Sequence, residues 1–141
     1  MERVKLKSRG NRLVAVLLVI VGCYWSRYPE LMETHLVLLD QFAAKLEFLA
    51  RTDGGVPLEQ WGEFVYPLER ARDFARIAAQ RYPDRASLRE FRVVLDRYGA
   101  LVDDPMFLSR PGAVERIARR RVALAEAVAA TRVALGREAR G

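Results

Sequence analysis

Residues 29–51 read PELMETHLVLLDQFAAKLEFLAR, and this stretch decides the fold class. Met32, Leu36, Leu39, Ala43, Leu46 and Ala50 recur at alternating steps of four and three, the spacing that lines one side of an α-helix. Leu31, Leu38, Phe42 and Leu49 widen that stripe, so the helix is expected at the centre of a core. Pro29 suits the first turn, where no backbone donor is needed, and Glu30 and Glu33 suit the positive end of the helix dipole. Thr52-Asp53-Gly54-Gly55 stops the pattern.

Three further segments follow the same rule. The second is expected from about Leu58 to Arg81, with Trp61, Phe64, Val65, Leu68, Ala71, Ala75 and Ala78 inward and a kink or break near Tyr66, ahead of Pro67. The third runs from about Arg85 to Val102, with Asp84 as N-cap and Leu88, Phe91, Leu95, Tyr98 and Val102 on its apolar side. After a loop over 103–110, Pro111 opens a last helix reaching about Arg137, with an inner face of Val114, Ile117, Ala118, Leu124, Ala125, Val128 and Leu135. No run alternates in the manner of a strand. The expectation is an all-α protein, a compact antiparallel bundle of about four helices over residues 29–141.

The first 28 residues differ in kind. Met1 to Arg12 is basic, Leu13 to Val21 (LVAVLLVIV) is unbroken apolar sequence, and Gly22-Cys23 follows. A nine-residue apolar run behind a basic start lies within the secretory-signal range of roughly 7 to 15 residues. Counted through Trp25 it would reach only about 20 Å as a helix, short of the ~30 Å hydrocarbon core. Ile20-Val21-Gly22-Cys23, ending on the chain's single cysteine, resembles the lipobox of bacterial lipoprotein precursors. That resemblance covers residues 1–23 and implies a diacylglyceryl group on the Cys23 sulfur, with cleavage before it. It divides the chain into a signal peptide (1–22), a lipid-anchored tether (23–28) and the helical domain (29–141). Tyr24, Trp25 and Tyr28 suit a headgroup interface or a place on the domain. The alternative is an uncleaved anchor in which Cys23 is an ordinary apolar residue.

The chain's net charge of +6 belongs mostly to that segment. Residues 1–22 hold five basic side chains against Glu2, leaving 19 basic and 17 acidic side chains beyond them. So balanced a body lacks the electrostatic footprint of a nucleic-acid binder. One cysteine permits neither an intrachain disulfide nor a cysteine metal cluster. There is no G-x-S-x-G, no phosphate-cradling glycine loop and no histidine-based triad, so neither a cofactor nor an enzyme is indicated.

The remaining candidates concern contact. Arg116, Arg119 and Arg120 make the last helix basic, toward an acidic partner or anionic headgroups. Met106-Phe107-Leu108, between Pro105 and Pro111, is an apolar triplet inside a loop, either tucked onto the bundle or exposed for docking. Arg121 and Arg132 fall on the apolar side and are expected to pair internally, with Asp40, Glu47 or Asp96. Asp103-Asp104 reads as a turn. His35, the only histidine, reads as a packed core or rim residue, and a pocket near His35, Trp61 and Tyr98 would instead make the domain a ligand-binding or sensory module. The leading expectation is a structural or interaction protein, anchored in the cell envelope and facing the periplasm or exterior, docking on a membrane-associated protein assembly. Small helical pilot lipoproteins of secretion machinery resemble it in size and architecture alone.

Overall fold

Four helices carry the apolar stripes read from the sequence. A computed structural model describes residues 27–106 and 110–141. The signal, the proposed lipid site at Cys23, and Phe107 and Leu108 therefore lie outside the described residues. Helix α1 spans Tyr28–Thr52, a single 3-10 turn Leu58–Gln60, α2 Gly62–Arg81, α3 Ala86–Val102 and α4 Ala113–Arg140. The chain divides into two compact units, residues 1–32 and 33–141. Only 27–32 of the first are described, and they form the opening of α1, with Tyr28 buried. The second unit holds the remainder of α1 and the other three helices.

Contacts between helices fix the topology of this second unit. His35 meets Phe74, and Phe42 meets Phe64, so α1 and α2 run in opposite directions. Phe74 against Phe91 and Trp61 against Val102 reverse α3 on α2. Arg120 reaches Ala100 while Glu138 reaches Ser87, reversing α4 on α3. Arg132 pairs with Glu33 and Arg121 with Glu47, which closes α4 back onto α1. The result is an all-α up-down-up-down bundle in which every neighbouring pair is antiparallel.

Leu36, Leu39, Ala43 and Leu46 of α1 are fully buried at its centre, with Phe64, Phe91, Tyr98, Ile117 and Leu124 at 0–1% exposure. Each large side chain so buried contributes on the order of 1.5–3 kcal/mol against the entropy of ordering the chain.

Several boundaries differ from the sequence reading. The second helix begins at Gly62, not near Leu58, and the chain bends at Trp61. The cause is Trp61 itself: its ring is buried and its indole N–H donates to the Val102 carbonyl at 3.1 Å, which turns Leu58 out to 72% exposure. Pro67, by contrast, interrupts nothing. It is buried inside a continuous helix, and beside the carbonyl it leaves without a donor, the Tyr98 hydroxyl donates to the Phe64 carbonyl at 2.6 Å. Asp84 does not cap α3. Arg85 occupies the cap position with no side-chain bond, one residue too late for Asp84, and a carboxylate from α4 does the work: Glu138 Oε1 accepts the Ser87 N–H at 3.0 Å. The last helix starts at Ala113, because Gly112 takes the left-handed conformation at φ 74°. Its inner face is also rotated, with Ala127, Thr131 and Ala134 buried and Ala125 exposed.

Candidate functional site

The two ends of the bundle differ. At one end the chain enters residues 33–141 at Glu33, beside the C-terminal half of α4. At the other, α1 runs out, α2 begins, α3 ends and α4 begins. The α-helical rise of ~1.5 Å per residue puts Arg51 about 27 Å from Glu33 along α1.

That far end carries an open cleft of about 500 Å³ between the α1–α2 and α3–α4 connections. Leu49 on the last turns of α1, Val56, Pro57 and Leu58 form one wall, and Pro105 and Met106 the other. Gly54 and Gly55, both at positive φ, turn the chain tightly at its edge. Leu58 is 72% exposed and Met106 62%, so two large apolar side chains stand in solvent on opposite walls. Met106 belongs to the triplet singled out in the sequence. The facing wall, Val56-Pro57-Leu58, is the same kind of apolar triplet in a loop, hidden in the sequence because Leu58 also fits the start of the second helix.

The Asp103-Asp104 pair makes the expected turn. Asp104 accepts the Met106 N–H at 3.0 Å through Oδ1 and pairs with Arg110 at 3.0 Å through Oδ2, which holds the Met106 wall in place. Among the described residues no group of acidic, histidine or cysteine side chains could hold a metal ion.

The arginines of α4 separate by role. Arg119 is exposed. Arg116 is half-buried. Arg120 is half-buried and donates to the Ala100 carbonyl, so with Trp61 it satisfies the carbonyls at the C-terminus of α3. Arg121 pairs with Glu47 at 2.7 Å and lies 3.9 Å from Asp40, as the sequence reading held. The hydrogen bond from Arg121 holds the Glu47 carboxyl below its ordinary range, with Arg51 adding to the effect. Arg132 takes Glu33, a partner the sequence did not single out; Glu33, Asp40 and Glu47 are seven residues apart, a row facing α4 that heptad spacing makes legible.

His35, Trp61 and Tyr98 each have their own engagement. The His35 ring stacks on Phe74 at 4.9 Å between centroids and approaches Phe91 at 6.4 Å. Trp61 and Tyr98 both donate to backbone carbonyls, and burial pushes the Tyr98 hydroxyl well above its ordinary value. These three act as joints between helices. In comparisons with protein-family models, curated proteins and solved structures, nothing matches the chain.

Proposed function

We propose that this chain is a lipid-anchored interaction protein of the bacterial cell envelope, whose helical bundle docks onto a membrane-associated protein assembly. One observation carries the reading: the chain's single cysteine, Cys23, stands where a basic segment and a nine-residue apolar run end. Two acyl chains on that sulfur would anchor the protein stably. Among the described residues no helix is long and apolar enough to cross a membrane.

The bundle supports the docking half of the reading. The exposed apolar side chains of the cleft lie at the end opposite to where the chain enters, and Arg116 and Arg119 lie on the α4 turns nearest that end. With α1 upright on its anchor, about 27 Å along it would be several times the ~8 Å over which charges act at physiological ionic strength, and the arginines would meet a protein partner and not the headgroups of the anchoring leaflet. Arg119 and Met106, with Phe107 and Leu108 beyond the described residues, are the contacts of first choice; Arg116 and Arg120 stand behind them.

The deciding measurement is the intact mass of membrane-extracted protein, wild type beside Cys23→Ser. Loss of residues 1–22 with a lipid mass absent from the variant is the expected result. A full-length, unmodified chain would mean an uncleaved anchor and end the lipoprotein reading.

A further inference from the structure

The opposite end of the bundle, where the chain enters residues 33–141, is set apart by charge. His35 faces Phe74, so Arg81, seven residues further along α2, stands about 10 Å beyond that level on the side where α1 enters. Arg132 pairs with Glu33, so by the same rise Arg137 and Arg140 stand about 7 and 12 Å beyond it. The α2–α3 connection and the last turns of α4 thus project past Glu33. Their residues, 77–89 and 133–141, hold Arg81, Arg85, Arg89, Arg137 and Arg140 against Asp84 and Glu138, three more basic side chains than acidic. Arg81, Arg89, Arg137, Arg140 and Asp84 are exposed, whereas Glu138 is half-buried with Oε1 on the Ser87 N–H. The Arg81 and Arg85 guanidiniums lie 5.9 and 3.9 Å from the centre of the Tyr82 ring, which gathers two cations at one turn.

We propose that this end of the bundle rests on the anionic phospholipid headgroups of the leaflet that holds the N-terminal segment. The inference depends on the anchoring half of the reading above and adds the surface by which the bundle meets the membrane. It is the same for a lipid on Cys23 and for an uncleaved segment, since both put the bilayer ahead of Tyr28. From Cys23 to Tyr28 is five residues, at ~3.5 Å each if fully extended, and five helical residues at ~1.5 Å lead on to Glu33. Glu33 is therefore held within about 25 Å of the leaflet. With α1 upright and the tether drawn out, Arg140 would stand about 13 Å away, and shorter tether conformations bring it within the ~8 Å over which charges act. Guanidinium suits this ligand, because its planar fork donates to phosphate oxygens and is weakly hydrated. Tyr82 beside it is a residue type that collects at the headgroup level. The anchor also keeps headgroups at high effective concentration, an advantage that an acidic protein segment from solution lacks.

The test uses the full-length chain in nanodiscs of phosphatidylcholine, alone or with about a third phosphatidylglycerol. Amide hydrogen exchange is followed by mass spectrometry, which serves Cys23 in either state. Exchange in residues 77–89 and 133–141 should be at least threefold slower with the anionic lipid, and unchanged in residues 53–60 at the far end. Salt at about 0.5 M should abolish the difference. Arg81→Gln, Arg85→Gln and Arg137→Gln together should remove most of the slowing with circular dichroism unchanged, and lysine at the same three positions should retain it. The comparison of lipids on wild type stands by itself if the glutamine variant does not fold.

Equal exchange in the two lipids, equal slowing in residues 53–60, or slowing that survives in a folded glutamine variant would each overturn the proposal. The anchoring reading has separate outcomes. A lipid-modified chain with equal exchange in both lipids keeps the anchor and removes the resting surface. An unmodified, full-length chain with the expected slowing keeps the surface and ends the lipoprotein reading. A chain that enters neither nanodisc overturns both.

Discussion

His35 is the chain's one histidine, and its surroundings set the sign of its pH dependence. Burial first, and then the nearby Arg70, hold the imidazole below its ordinary value of 6.5. The unfolded chain therefore takes up the proton more readily than the native one, so stability is full above pH 6.5 and falls as pH drops through it. Urea unfolding at about pH 7.5 and about pH 5 should show a lower midpoint at the acid value, and His35→Leu should shrink that difference. A wild type whose midpoint rises on acidification would place the ring in a different environment. Tyr98 gives a second prediction. Its hydroxyl is buried and donates to the Phe64 carbonyl, so Tyr98→Phe should cost about 1 kcal/mol by urea unfolding with the helix content unchanged. At this scale the sequence was a partial guide. Periodicity placed both rings on inward faces, but the carbonyl that Tyr98 serves lies 34 residues away, and only the packing of α3 against α2 brings it there.

The elements were legible where periodicity governs and illegible where neighbouring helices do. Met32, Leu36, Leu39, Ala43, Leu46 and Ala50 of α1 are all buried, because one long amphipathic pattern has only one way to face a core, whereas Leu38, expected to widen that stripe, stands 39% exposed. The termini of α3 obeyed no local rule. Glu138 supplies its N-terminal acceptor, while Arg120 and Trp61 supply its C-terminal donors, all from outside that helix. No reading of residues 84–103 alone contains that information. The seam between α1 and α4 yields a prediction of unequal effects. Arg121 and Glu47 are 31% and 16% exposed at their side chains, against 48% and 43% for Arg132 and Glu33. Arg121→Met should therefore cost about 1–2 kcal/mol, by leaving Glu47 half-buried without its main donor, whereas Arg132→Met should cost about 0.5 kcal/mol or less. Double-mutant cycles with Glu47→Gln and Glu33→Gln would measure both, and a larger coupling at Arg132 would contradict the assignment. The C-terminal turns of α4 offer a change of opposite sign. A Cβ on Gly136 would meet only the end of Arg140, at 4.0 Å, so Gly136→Ala should stabilise by up to about 1 kcal/mol through helix propensity.

At the scale of the whole molecule, the closed ring of antiparallel neighbours gives the bundle two ends of different make-up. The chain enters residues 33–141 at Glu33, and the apolar cleft lies at the far end. Periodicity and short connections foretold four antiparallel helices, but the meeting of two loops roughly 50 residues apart depends on α1 and α3 both ending there, which only the packed bundle determines. Thiol labelling tests this polarity. If Cys23 carries its diacylglyceryl group as a thioether, wild type takes up no maleimide, and Leu58→Cys or Thr34→Cys takes up one equivalent. Both positions are exposed, and substitution at Leu58 removes no buried contact. In liposomes containing nitroxide-labelled phospholipid, a fluorophore at residue 34 should be quenched more strongly than one at residue 58. The length of α1 between them sets the scale: with the axis upright, Thr34 to Thr52 at ~1.5 Å per residue is about 27 Å. Equal quenching at the two positions would mean that the bundle lies along the membrane, and the cleft would then share its surroundings with the headgroups instead of reaching past them. One equivalent of maleimide on wild type would show a free Cys23 thiol and remove the anchor from which that polarity is measured.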